Sequence, residues 1–387
     1  MKRTRIMSAS RGVVLLTVLL ASICVFSVPA DDTVPGVAVG MEAISTDCHI
    51  HMMSSQFAAI FKVLIGGGTY NGNEIEEFSA EKVIGLLDEA HIDRAFVLSG
   101  SYILGMKGIE GPDEYNDVKK ENNYVAVQCA KNPQRLVGFF SVNPFKDYAI
   151  EEVDRCYDQL KLAGLKLHFT NSDVDLTKPE QLEKIQALFA HAAAKGIPIL
   201  LHFRSRSPDF GKRDAEILIN EVIAKTPGLK LQIAHLGGWG GFDKGTEEVF
   251  STFVRAYKEN PSLDKKNIVF DMSGALVTES EAVKGELDAT SPEQNARMVD
   301  LMREWGLDNI VFGSDRPFLT PLRYSENIRT FLPLSEAELS AILNNDTSER
   351  LFGHKASEIR HPDLQELSAL LKDGVDYNAP LSIKIGQ

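Results

Sequence analysis

Three apolar stretches of the chain end in histidine, and a fourth runs into an aspartate. They are Asp47-Cys48-His49-Ile50-His51, Pro198-Ile199-Leu200-Leu201-His202, Gln232-Ile233-Ala234-His235-Leu236-Gly237-Gly238 and Ile310-Val311-Phe312-Gly313-Ser314-Asp315-Arg316-Pro317. Side chains alternate along a strand, so His49 and His51 are expected on one face and Cys48 and Ile50 on the other. Two imidazoles from one strand end can hold one metal ion. A single terminal His in an apolar strand is usually a core residue with a partner, and a lone His-x-His is weak evidence. Four such polar endings on one rim are hard to explain by packing. Imidazole nitrogen with carboxylate oxygen is the ligand set of a catalytic zinc-type site. Such a site keeps a position for water, whose pKa the metal lowers to about 7.

Something must bring four distant segments to one rim. Eight apolar, β-branched runs alternate with amphipathic stretches: Ala43–His51, Arg94–Leu98, Leu136–Val142, Gly164–His168, Ile197–His202, Lys230–His235, Asn267–Met272 and Asn309–Phe312. Helical patterns fall near Ala80–Ala90, Tyr115–Lys131, Ile150–Leu162, Pro179–Lys195, Asp214–Lys225, Glu247–Glu259 and Ser291–Trp305, with Ser325–Phe331 and Ser335–Leu343 after the last strand. Strands alternating with helices mean a parallel sheet. Eight units predict an α/β fold of the closed (β/α)₈ TIM-barrel type, whose chemistry sits at the C-terminal ends of the strands. An open doubly wound sheet lacks support, because no Gly-x-Gly-x-x-Gly follows an early strand. Gly66-Gly67-Gly68 has no Lys-Ser/Thr after it and reads as a flexible loop.

The chain has 387 residues and a net charge of −13. Residues 1–30 carry Lys2, Arg3, Arg5 and Arg11 and no acidic residue, so the remainder is more acidic still. That field argues against nucleic acid or an anionic membrane as the main partner. A basic start, an apolar run over residues 12–28 and Val28-Pro29-Ala30 form a signal-peptide pattern, with cleavage expected after Ala30. The apolar run is slightly short for a spanning helix. The expectation is a secreted or periplasmic protein with no integral membrane span after processing. The barrel is expected over residues 41–353 and a tail over 354–387, with a short amphipathic helix near Asp363–Leu371. Cys48, Cys129 and Cys156 form no Cys-x-x-Cys pattern and are expected to be buried thiols.

Taken together, His49-x-His51, the later histidines and Gly-Ser-Asp315-Arg-Pro resemble the amidohydrolase superfamily, and more closely its amidohydrolase-related ("amidohydrolase 2") branch. Gly138–Pro144, Gly164–His168 and Asn345–Phe352 belong to the same likeness, which spans residues 43–353. The resemblance implies one divalent metal, zinc being the expected ion, held by His49, His51, His202 and Asp315. It implies His235 as the acid/base beside the metal-bound water, with Asp315 also counted among the catalytic groups. The strand-end pattern alone does not separate ligand from base among His202 and His235. The implied reaction is hydrolysis of a small amide, ester or lactone. The alternatives are nonoxidative decarboxylation of a small carboxylated substrate and a catalytically dead binding barrel.

One departure stands out. The branch often has an aromatic residue after the Asp, and here it is Arg316, which would clamp a substrate carboxylate or pair with another loop. Arg204 and Arg206 follow His202 on a loop expected to rim the pocket, where they would meet an anionic small-molecule substrate. Trp239 would wall the pocket. Asp47 is expected below His49 as a hydrogen-bonding support, and Asp271 and Ser273 at the rim. Lys166 and His168 share one face of their strand. Some amidohydrolases carboxylate a lysine there to bridge two metals, but one metal and an unmodified Lys166 are expected, because the branch usually works with one. A homo-oligomer is compatible with the sequence. His91, His191, His354 and His361 are read as non-functional.

Overall fold

Every apolar run becomes a strand. In the computed structural model, which describes residues 43–383 except 67–68, 71–72, 110, 283–286, 355–357 and 373–375, the barrel strands are β1 (Ile44–Met52), β2 (Ile92–Ser99), β3 (Leu136–Ser141), β4 (Gly164–His168), β5 (Ile199–His202), β6 (Leu231–Ile233), β7 (Ile268–Asp271) and β8 (Ile310–Val311). Neighbours pair in parallel in chain order. Backbone bonds join the last segment to the first: Cys48 N–H to the Phe312 carbonyl (2.9 Å), Asp315 N–H to that of His49 (2.7 Å) and His51 N–H to that of Arg316 (2.9 Å). The expected (β/α)₈ architecture is therefore the observed one. The expected signal segment lies outside the described residues.

Alternation holds on β4, where Leu165 and Leu167 pack outward among the helices, while Lys166 and His168 are buried on the other face. It fails on β1. The register against β2 shifts between Asp47 and Ile50, and a bulge of this kind puts one extra residue into the strand. Cys48 consequently joins Phe96, Leu98, Val137, Phe139, Leu200, Val269 and Val311 in the barrel interior, a correction to its expected place beside Ile50. His49 is fully buried as well. All three described cysteines are buried and free.

The helices fall close to their patterns. Pro292–Trp305 starts on a capping box between Ser291 and Gln294, the signature of Ser-Pro-Glu. Two of them, Ala149–Asp154 and Lys212–Ile217, run on into π-helical turns, Arg155–Gln159 and Leu218–Ile223. Helix Ser55–Leu64, capped by Ser54, carries no pattern that the strand-and-helix reading picked up. Helix Leu364–Lys372 is the expected tail helix. Beyond it the chain returns to helix Glu114–Lys131. There Asp117, fully buried, accepts from Lys120 Nζ (2.9 Å) on one oxygen and from Ser382 N–H (2.8 Å) on the other. Lys120 Nζ also donates to the Pro380 carbonyl (2.7 Å).

On that same helix Glu121 accepts from Ser54 N–H (3.0 Å) and Ser54 Oγ (2.6 Å). Burial pushes its carboxyl up to about 7 against these bonds. Its neutral form is thus favoured by folding, a contribution complete below pH 4.5 and lost as pH rises to 7. Glu121→Gln should abolish that dependence. Urea unfolding at pH 5 and pH 8 is expected to show the wild type losing up to about 3 kcal/mol relative to the variant. Parallel pH profiles would contradict the assignment.

Candidate active site

Atoms from β1 and from the turn after β8 converge. His49 Nε2 lies 3.3 Å from Asp315 Oδ1, and His51 Nε2 lies 3.4 Å from the same oxygen. The three ligand atoms lie within 4.8 Å of one another. Close approach of the two segments requires glycine: a Cβ on Gly313 would come within 2.8 Å of His49 Cβ. Asp315 itself sits in the left-handed region at φ 58°, which aspartate tolerates better than most residues.

Hydrogen-bond accounting fixes three of the imidazoles. His49 Nδ1 lies 3.1 Å from Asp271 Oδ2, an oxygen that can only accept, so Nδ1 carries the proton and Nε2 keeps the lone pair. A carboxylate behind a histidine in this way orients it for a metal. His235 Nδ1 lies 2.7 Å from the Ser273 carbonyl, so it too is protonated there and bare at Nε2. Thr170 Oγ1 gives its proton to the Arg204 carbonyl (2.6 Å) and accepts from His202 Nε2–H (3.3 Å), which leaves His202 Nδ1 bare. The rings of His49 and His235 are 4.9 Å apart, and those of His202 and His235 are 5.0 Å apart.

Electrostatics agree with a cation site. Burial, and then Lys166, push His49 down to about 3. Burial likewise lowers His51, His168 and His202. Imidazoles kept neutral are the form that ligates. Burial opposes ionisation of Asp315, but the facing histidines hold its carboxyl at about 2. Lys166 is buried with Nζ 3.2 Å from His49 Nε2. Burial lowers it to about 8, against the pull of Asp315 and Asp271.

Asp271 is the group that sequence reasoning undervalued. It ends an apolar strand, which makes a rim position look natural. It is instead fully buried, and it gathers His49 Nδ1, Gln232 Nε2 (2.7 Å), His235 N–H (3.0 Å) and Ser273 Oγ (2.5 Å). Burial opposes its ionisation, yet His49 and these bonds hold it far below the ordinary carboxylate value. Asp271→Asn would turn an amide N–H toward the donors of His49 or Gln232. Metal affinity by competition titration is expected to fall about 10- to 100-fold, with the fold kept. Unchanged affinity would remove Asp271 from the site.

The remaining candidates sort by contact. Asp47 accepts from His49 N–H and Ser314 N–H, both at 3.0 Å, and so supports backbone rather than imidazole. Arg204 pairs with Asp243 at 2.9 Å and lies over Phe210, and Arg206 pairs with Asp173 at 3.0 Å. The Arg316 guanidinium lies over Phe78, 4.3 Å from its ring centre, with Nη1 donating to the Pro317 carbonyl. Its Nε has no partner among the described residues. Trp239, 39% exposed, joins Val277, Leu287, Phe318 and Leu319 in a narrow, mostly apolar cleft that reaches Asp315.

A family model described as amidohydrolase matches residues 46–354. The chain belongs to this amidohydrolase family. No curated protein matches it. Solved structures similar to this amidohydrolase include 5-carboxyvanillate decarboxylase from Sphingomonas paucimobilis, at 15% identity and TM-score 0.54, covering 81% of this chain and 99% of that one. A dihydroxybenzoic acid decarboxylase from Polaromonas sp. JS666, with bound manganese and the inhibitor 2-nitroresorcinol, matches at 17% and TM-score 0.52, covering 81% and 97%. A putative 2-pyrone-4,6-dicarboxylic acid hydrolase from Pseudomonas putida matches at 18% and TM-score 0.51, covering 81% and 98%. At these identities the likeness is one of fold, and fold does not set the reaction. Among the described residues no helix is long and apolar enough to cross a membrane.

Proposed function

We propose that this amidohydrolase is a metal-dependent hydrolase of a small amide, ester or lactone. The carrying observation is the convergence of His49, His51 and Asp315 beside His235, whose Nδ1–H is held by the Ser273 carbonyl and whose Nε2 is bare. His49, His51 and Asp315 would hold one divalent ion, zinc being the one expected, with His202 as the further ligand that the resemblance implies. When bound, the ion supplies Lewis acidity and an activated water. His235 Nε2 accepts the proton that water gives up and returns it to the leaving atom. Its Nδ1–H stays on the Ser273 carbonyl, so the ring does not turn. The narrow cleft lined by Trp239, Phe318 and Leu319 gives Asp315 an apolar flank on the side where substrate would approach.

A screen of lactones, amides, esters and aromatic carboxylates tests this, following both acid release and carbon dioxide release with metal present. Acid release from an ester, amide or lactone is the expected result. Carbon dioxide from a carboxylate, with no hydrolysis, would replace the reading by decarboxylation. We also propose export, on the basic, apolar and small-residue pattern of residues 1–30. Intact mass of protein from the native host should give a chain beginning at Asp31. A cytoplasmic chain that retains those residues would contradict it.

A further inference from the structure

His168 ends β4 beside His202, its Cα partner on β5. The two rings stack with centres 3.8 Å apart and planes 13° apart, and the Tyr102 ring lies 4.9 Å from that of His168. Held between them, the ring has little freedom to rotate. The backbone N–H of Asn171 donates to His168 Nδ1 at 3.2 Å. A nitrogen that accepts carries no proton, so the proton of this imidazole is on Nε2. A protonated nitrogen cannot ligate a metal. Turning the ring to present Nδ1 would forfeit the Asn171 bond. Nε2–H has no acceptor among the described residues. One step back along the strand face, Lys166 Nζ is a second buried donor, and among the described residues it has no carboxylate within ion-pair distance. Its hydrogen-bond partner is His49 Nε2, one of the converging ligand atoms. Two donors thus line the β4 side of the site, across from the apolar cleft on the β6–β8 side.

We propose that His168, through Nε2–H and with Lys166 beside it, binds an anionic oxygen of a small carboxylate, and that His168 is not a second-metal ligand. This rests on the metal-centred reading above for where the substrate lies, but the tautomer and the donor role stand without it.

The test uses the full mature protein as purified. In ¹⁵N-imidazole-labelled protein, a long-range ¹H–¹⁵N correlation, with His168 assigned through its contact to Tyr102, should show the Nε2–H tautomer. A proton on Nδ1, or a metal-shifted nitrogen, overturns the proposal without any variant. Calorimetric titration with benzoate and with its neutral isostere benzamide should show that the wild type prefers benzoate. His168→Ala should weaken benzoate about 10- to 100-fold, the range for a bond to a charged group, weaken benzamide clearly less and keep the wild-type metal content. His168→Gln, which retains an N–H donor, should recover part of the loss. No preference for benzoate, equal weakening of both probes, or metal loss in His168→Ala overturns the proposal. A wild-type protein that binds no metal yet behaves this way toward benzoate would overturn the hydrolase reading and leave the anion site standing.

Discussion

Asp315→Ala is expected to strip bound metal and abolish turnover while the barrel stays folded. One oxygen of this carboxylate faces both His49 Nε2 and His51 Nε2, so its removal takes away the only anionic member of the converging group. His49→Ala and His51→Ala should behave alike. All three lie at the catalytic end, away from the apolar layers inside the barrel, and far-UV circular dichroism should not change. His202→Ala is the discriminating member. Its bare Nδ1 is what the resemblance needs for a ligand, yet His202 is not among the atoms that lie within 4.8 Å of one another. Metal analysis of the four variants decides: full metal and activity in His202→Ala alone would reduce the ligand set to three.

His235→Asn should separate chemistry from metal binding. Asparagine tolerates the left-handed backbone found here, φ 57°, and its amide can still donate to the Ser273 carbonyl. It has no basic nitrogen to take a proton. Metal content should stay near the wild-type value while turnover drops by about 10²- to 10⁴-fold. Metal loss as deep as in Asp315→Ala would make His235 a ligand and leave the base to be found elsewhere.

Much of this site is legible in the sequence. Strand ends marked by His49, His51, His202, His235 and Asp315 are visible because a strand has a simple period and a barrel places every C-terminal end on one face. What escaped depends on contacts between segments far apart in the chain. Asp271 looks like a rim residue until His49, 222 positions away, is seen to donate to it. Thr170 carries no motif, and its role comes from where the hydroxyl proton goes. The β1 bulge has no signal in Asp-Cys-His-Ile-His, because it arises from pairing with β2 on one side and the β8 segment on the other. Arg204 shows another limit: a charge near the pocket mouth invites a substrate role, and the sequence carries no sign of its ion pair with Asp243.

The bond between Ser382 and Asp117 spans 265 positions. On the ribosome, Asp117 is made long before the hydroxyl and amide that cap its second oxygen. At about 5–20 residues per second the interval is roughly 10–50 s, far longer than the time in which a helix or a local turn forms. For that period Asp117, on the helix that follows β2, has Lys120 as its partner but lacks the cap on its second oxygen. The finished clasp therefore forms late, and nascent chains arrested before Ser382 should be more readily cut by protease near Asp117 than chains that contain it.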